Sequence, residues 1–373
     1  MATKTLGHLF TPTLIVPIRQ KQESYIYWTL QNRERCGGVL CFHWQANPIW
    51  KMTTNIKVTP KNKTENILRV AAVQASVANI DLATSVSRTL DLIEDAARKG
   101  AKLICFGETW LPGYPAWLDY CRDAALWNHA PVKEIYAELR ANSVEVPGPE
   151  TAKIAELAGR LHVGVVIGLN ERVANGPGHG TLYNSILTFG SDGRIANHHR
   201  KLMPTYSERM VWGQGDGRGL QCANIHGANV GGLVCWEHWM PLARQHMHNC
   251  GEQVHVALWP TVHEMHQIAS RHYAFEGRCF VLAVGQVMSA ASLPATLPRV
   301  DSLAPDALVE RGGSAIIAPD GRYLAGPVFD DESVLIADLD LTEIEREVMT
   351  LDVSGHYSRP DIFHFKMKPM PQE

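Results

Sequence analysis

The chain of 373 residues is 45% hydrophobic and 20% charged, a balance that excludes disorder throughout, collagen and low-complexity architectures. Its formal net charge of -3 supplies no basic field for nucleic acid or an acidic membrane surface, so the expected partner is a small molecule, with no nucleic acid and no membrane involved.

Residues 1–51 hold Trp28, Trp44 and Trp50 but show no sustained helical or alternating period. They read as an extension outside the fold, with Met52 as a natural start; a transit peptide or an oligomer contact are the alternatives. Pro12 and Pro17 break the apolar stretch near Met1, and no small-residue cleavage site follows, which argues against a signal peptide.

After a polar stretch through Asn66, the apolar run Leu68–Val73 predicts a strand. Leu82, Val86, Leu90, Ile93 and Ala97 then recur at helical spacing until Gly100 provides a stop. Leu103–Phe106 reads as a strand, Thr151–Leu161 as a helix opened by Pro149 and Glu150, and Val163–Leu169 as another strand. Ser191-Asp192-Gly193 between Leu182–Phe189 and Ile195–His199 signals a hairpin. Next come a strand over Gly232–Cys235, a helix with Pro241 in its first turn, a strand over Val254–Trp259, a helix reaching Arg278 and a strand over Phe280–Val284. Pro319-Asp320-Gly321 joins Ser314–Ala318 to Tyr323–Ala325; Val334–Ala337 is the last strand and Leu341–Met349 the last helix.

This alternation predicts an α/β fold whose sheets are each covered on one face by helices. Without a linker rich in Gly, Ser or Pro, residues 66–361 read as one domain and 362–373 as a short tail. The eight cysteines show no C-x-x-C pair or regular spacing, which points to a reduced, cytoplasmic protein. The longest apolar runs fall well short of the roughly 20 residues that cross a bilayer.

Three predicted strand ends carry reactive residues, the usual location of α/β sites. Glu108 follows the strand ending at Phe106, in a loop held by Pro112, Gly113 and Pro115. Lys201 follows the hairpin strand, in a charged segment with Glu208 and Arg209. Cys235 ends its strand just before the Pro-started helix. Taken singly, each has an ordinary structural reading: a carboxylate bonding loop amides, a solvated charge cluster, an inert core thiol. Together they offer a base, a fixed cation and a nucleophile, with the amide of Trp236 as an oxyanion donor.

These segments resemble the nitrilase branch of the carbon-nitrogen hydrolase superfamily, from about Leu68 to about Pro360. Glu108 matches the family's catalytic glutamate, Lys201 its lysine, Cys235 its nucleophile and Glu208 its second glutamate. Gly355-His356-Tyr357-Ser358-Arg359-Pro360-Asp361 resembles the closing motif of microbial nitrilases. Amidase and carbamoylase branches usually follow the cysteine with Tyr-Asp, whereas Trp236-Glu237-His238 follows it here, favouring nitriles over amides. The resemblance implies a four-layer α-β-β-α sandwich, self-association into dimers or spirals, and no metal or other cofactor.

It also implies hydrolysis of a nitrile to the carboxylic acid and ammonia through a cysteine thioimidate; because nitrogen protonated beside Glu108 is a better leaving group than sulfur, amide is expected as a minor product at most. Trp236, Tyr114, His129 and Trp239, near these motifs, are candidate substrate-pocket residues; Trp110, Trp117 and Trp127 also lie close in sequence. Cyanide degradation or amide hydrolysis on the same scaffold are the alternatives. A metal-binding regulatory protein is the different-class reading, prompted by seventeen histidines. His263-Glu264-Met265-His266 lacks the spacing of a zincin helix, which weakens it.

Overall fold

The computed structural model describes residues 27–36 and 39–47 as backbone, and residues 66–301 and 303–368 in full. Most of the expected extension, and Met52 just after it, therefore lie outside the described residues, as do the last five residues of the tail, 369–373. Strands β1 (Tyr27–Cys36) and β2 (Val39–Asn47) pair antiparallel and belong to a unit, residues 1–61, separate from residues 62–373. Sequence periodicity assigned no element here. The register shifts between Leu30 and Asn32, and such a bulge breaks the alternation that identifies a strand. The usable signal was Gly37-Gly38 between the two runs.

The second unit begins with β3 (Ile67–Gln74), α1 (Leu82–Arg98), β4 (Leu103–Cys105), α2 (Trp117–Tyr120), α3 (Ala130–Ala141) and α4 (Pro149–Leu161). It continues with β5 (Gly164–Arg172), β6 (Leu182–Phe189), β7 (Ile195–Arg200), β8 (Ala223–Ile225), β9 (Ala228–Val234) and α5 (Pro241–Asn249). β10 (Val254–Leu258), α6 (Glu264–Gly277), β11 (Phe280–Val284) and β12 (Val287–Ser289) follow. β13 (Leu308–Ile317), β14 (Tyr323–Phe329), β15 (Ser333–Asp340) and α7 (Thr342–Glu347) complete it.

Six strands form one sheet in the order β15-β3-β4-β5-β6-β7, parallel from β3 to β5 and antiparallel at its flanks. The second sheet runs β12-β13-β11-β10-β9-β8, with β14 on β13 and β9, β10 and β11 parallel.

β3 shows how alternation becomes layers. Leu68, Val70 and Ala72 enter a core shared with Val230, Leu233, Val254 and Val256 of the other sheet. Ala71 and Val73 face the opposite way, into a core with Val86 and Ile93 of α1, Ile135 and Leu139 of α3, and Ile154 and Leu157 of α4. Met247 of α5 and Ala269 and Tyr273 of α6 cover the second sheet from outside. The result is the expected α-β-β-α sandwich. Each large aliphatic side chain buried in these layers contributes about 1.5–3 kcal/mol.

α1 follows its sequence cues closely: the Asp81 carboxylate accepts the Thr84 amide at 3.0 Å, and Gly100 leaves the helix at φ +88. α3 escaped the sequence reading because only Ile135 and Leu139 of its twelve residues are buried, too few for a clear period. Among the described residues no helix is long and apolar enough to cross a membrane.

Candidate active site

Three strand ends converge where the two sheets meet. The Glu108 amide donates to the Trp259 carbonyl at 3.3 Å, tying the loop after β4 to the end of β10. Gly168 of β5 lets this loop approach, since a Cβ there would lie 2.3 Å from the Gly107 carbonyl oxygen.

Cys235 does not end its strand, as expected from sequence, but opens the 3-10 turn Cys235–Trp239 directly after β9. It is buried and holds φ +50, a strained conformation for a residue with a Cβ. Glu237 stabilises the turn: its carboxylate accepts the Val234 amide and the Leu202 amide, both at 2.7 Å, and Nε2 of His199 at 3.0 Å. Burial opposes the charge on Glu237, but His199 and the two amides outweigh it and hold the carboxyl below its usual range. One side chain thereby fixes the Cys235 turn to the segment that carries Lys201.

The Lys201 ammonium is fully buried and donates to Glu108 Oε1 at 3.0 Å and Glu208 Oε2 at 2.7 Å. Desolvation alone would lower its pKa; Glu108, Cys235 and Glu208 outweigh it and raise the pKa, so the lysine stays charged. The Trp212 ring lies 5.9 Å from Nζ. Glu208 sits in a 3-10 turn and also accepts the Thr205 amide at 2.6 Å and the Tyr114 hydroxyl at 3.0 Å.

Glu108 accepts Nδ2 of Asn184 at 2.6 Å on Oε1, while Oε2 has no partner among the described residues. Burial, opposed by Lys201 and reinforced by Glu208, lifts its carboxyl to about 7. Burial and then Glu108 push the Cys235 thiol well above its usual range; Lys201 and the Trp236 amide pull the other way. Ligating atoms of Glu108, Glu208 and Cys235 lie within 4.8 Å of one another. Such donor types suit a metal, but the Lys201 ammonium already bridges the two carboxylates and supplies the positive charge.

A cavity of about 280 Å³ opens onto Cys235, with Tyr114 and Trp236 in its wall. The structure does not bring the other two candidates there: His129 is the N-cap of α3 and Trp239 ends the 3-10 turn that Cys235 opens, and neither lines the cavity. Trp110 and Trp117 are buried core, Trp110 donating to Thr89 at 2.7 Å, and Trp127 is exposed. His198 is engaged with Glu171 at 2.8 Å, His199 with Glu237, and His246 with the Leu220 carbonyl at 2.9 Å, whereas His263 and His266 line the cavity, the latter bonded through Nδ1 to the Thr261 carbonyl at 2.8 Å. These contacts weaken the metal-regulatory reading.

Sequence reasoning missed Asn184 and Glu237. Glu237 carries a sequence signal, a carboxylate two residues after Cys235 in the Trp236-Glu237-His238 segment. Asn184 carries no signal, because nothing in an alternating strand marks one polar residue as a partner for Glu108.

Residues 69–346 match the carbon-nitrogen hydrolase family. An aliphatic nitrilase from Sinorhizobium fredii (strain HH103) is 37% identical over 307 residues, 82% of this chain and 96% of that protein. Nitrilase 2 of Arabidopsis thaliana is 36% identical over 322 residues, 84% of this chain and 93% of that protein. A carbon-nitrogen hydrolase from Helicobacter pylori G27 shares the fold, with a TM-score of 0.58 and 19% identity over 77% of this chain and 93% of that one. With its sandwich, its family match and its similarity to curated nitrilases, the chain belongs to the carbon-nitrogen hydrolase family.

Proposed function

We infer that this protein hydrolyses organic nitriles to carboxylic acids and ammonia, with Cys235 as nucleophile. The carrying observation is the buried cluster of Cys235, Glu108, Lys201 and Glu208, in which the acid–base group, the cation and the thiol share one small space. The similarity to proteins named nitrilase supports a nitrile as substrate.

Glu108, ionised, takes the Cys235 proton through its unpartnered oxygen as sulfur bonds to the nitrile carbon. The same proton passes to the nitrile nitrogen, giving a thioimidate. Lys201 and the Trp236 amide stabilise the charge that develops on the substrate. Water adds to the thioimidate carbon, the carbon–nitrogen bond breaks, and protonated nitrogen leaves as ammonia. A second water cleaves the thioester, releasing the acid and restoring the thiol. Amide is the minor product, because nitrogen protonated beside Glu108 leaves more readily than sulfur. Glu208 holds Lys201 between two carboxylates, and Tyr114 steadies Glu208.

Ammonia release from a panel of aliphatic, aryl and arylaceto-nitriles, with free cyanide and the matching amides included, tests this reading. Nitrile turnover that vanishes in Cys235→Ala supports it. Turnover of amides alone would assign the site to amide hydrolysis, and turnover of cyanide alone to cyanide degradation.

Self-association belongs to the same proposal: Trp239, Met240, Leu242, Met265 and Ile268 leave apolar surface exposed on the nucleophile turn, α5 and α6. A cytoplasmic location is supported by six free cysteines among the described residues. Residues 1–51 are proposed to lie outside the hydrolase domain, which spans 66–361.

A further inference from the structure

Glu310 belongs to the wall of the cavity that opens onto Cys235, and nothing in the catalytic steps above uses it. It lies on β13 opposite Met288 of β12, and is 4% exposed. The next residue, Arg311, faces outward and pairs with Asp330 at 2.7 Å, so strand alternation turns Glu310 inward. A carboxyl at such a position is costly unless hydrogen-bonded, and its bonding on the protein side is incomplete.

Thr261 Oγ1 accepts the Arg311 amide at 2.8 Å and donates its proton to Glu310 Oε2 at 2.6 Å. Oε2 therefore serves as an acceptor. Burial, with Glu108 and Asp119 adding to it, lifts the Glu310 carboxyl to about 8, so near neutral pH it carries a proton. With Oε2 accepting from Thr261, that proton belongs on Oε1. The wall of the cavity thus presents an O–H group to whatever sits beyond the reacting carbon.

We infer that Glu310 is a specificity-determining residue that selects nitriles bearing a hydroxyl or amino group close to the cyano carbon over hydrocarbon nitriles. A lone pair on the substituent accepts the Glu310 proton; an amine takes the proton outright and is then held as an ion pair. A carboxylate substituent is disfavoured, because Asp119 and Glu208 line the same cavity. This inference rests on the nitrile-hydrolase reading and specifies the substrate for it. Discrimination of this kind is strong because an unpaired buried polar group penalises the wrong ligand.

The probes are butyronitrile, β-hydroxypropionitrile and β-aminopropionitrile, which match in size, together with cyanoacetate. They are compared on wild type, Glu310→Gln and Glu310→Leu. The wild-type kcat/KM is expected to be at least ~10-fold higher for the hydroxy and amino nitriles than for butyronitrile, with cyanoacetate the poorest. In Glu310→Leu that ratio falls toward one through loss on the polar nitriles. Glu310→Gln, nearly isosteric, keeps a donor and hence the hydroxy preference but loses the amino preference.

Polar-to-hydrocarbon ratios that stay within about 2-fold of wild type in both variants overturn the inference while leaving nitrile hydrolysis intact. Wild type that turns over none of the nitriles overturns the functional reading and this inference with it. Ratios are internal to each variant, so a partly unfolded fraction of Glu310→Leu does not alter them.

Discussion

His238 donates from Nδ1 to the carbonyl oxygen of Cys235 at 2.6 Å, and this bond decides the protonation of a buried chain beneath Cys235. A carbonyl only accepts, so Nδ1 carries the proton and Nε2 is left to accept from His255 Nε2 at 2.9 Å. His255 Nδ1 is then bare, and Glu252 Oε1, 2.8 Å away, must donate to it. Tyr273 completes the chain by donating to Glu252 Oε2 at 2.6 Å. Desolvation agrees at each link, lifting Glu252 to about 7 and holding both imidazoles well below their usual range. The chain is neutral, and it supports the strained backbone at Cys235.

Glu252→Gln preserves a donor for His255 and an acceptor for Tyr273, so its stability should stay within about 1 kcal/mol of wild type. Glu252→Ala and His238→Ala leave buried groups unpaired and should each cost about 1–3 kcal/mol, with His238→Ala also slowing turnover. The raised carboxyl fixes the sign with pH. Its contribution is fully present below the ordinary glutamate pKa and is lost as pH rises through about 7. The wild-type advantage over Glu252→Gln in thermal melts should therefore shrink across that window. An advantage that grows with pH would mean the carboxylate is ionised against a charged His255.

Cys235→Ala should abolish turnover while the melt remains near wild type. Cys105→Ala and Cys279→Ala, both in the core, should retain it at some cost in stability. Substantial residual nitrile hydrolysis in Cys235→Ala would move the nucleophile elsewhere.

Glu108→Gln and Lys201→Ala should each lose at least ~10²-fold in kcat. Glu208→Gln should lose activity as well, by loosening Lys201. A raised KM at normal kcat in either of the first two would reduce that residue to a binding role.

As the proposed base, Glu108 must be ionised to take the thiol proton, so alkylation of Cys235 by iodoacetamide should accelerate as pH rises through about 7. Glu108→Gln should lose that inflection. If the inflection persists in the variant, another group is the base.

A chain beginning at Met52 is expected to fold and to hydrolyse nitriles as the full chain does, since the family match starts at residue 69. Melting, size-exclusion profile and specific activity, measured side by side, check this. A melt several degrees lower, or a changed assembly, would attach residues 1–51 to the fold.

The alternating layers were legible in the chain because they rest on local periods: Leu68, Val70 and Ala72 against Ala71 and Val73, and the helical spacing from Leu82 to Ala97. Glu108, Lys201 and Cys235 stood out for a related reason, Glu108 and Cys235 at the ends of short apolar strands and Lys201 after a hairpin strand, and the family pattern supplied their grouping. Closeness in sequence to these motifs pointed to Tyr114 and Trp236, which reach the cavity, and to His129 and Trp239, which do not. Distance along the chain does not say which side of a turn a ring faces. Asn184 beside Glu108, Thr261 beside Glu310, and the chain from His238 to Glu252 were decided only by tertiary structure. The reason is physical: whether a carboxyl holds or releases its proton depends on how much water the packed layers remove and which donor they bring to it, and neither is a property of neighbours in sequence.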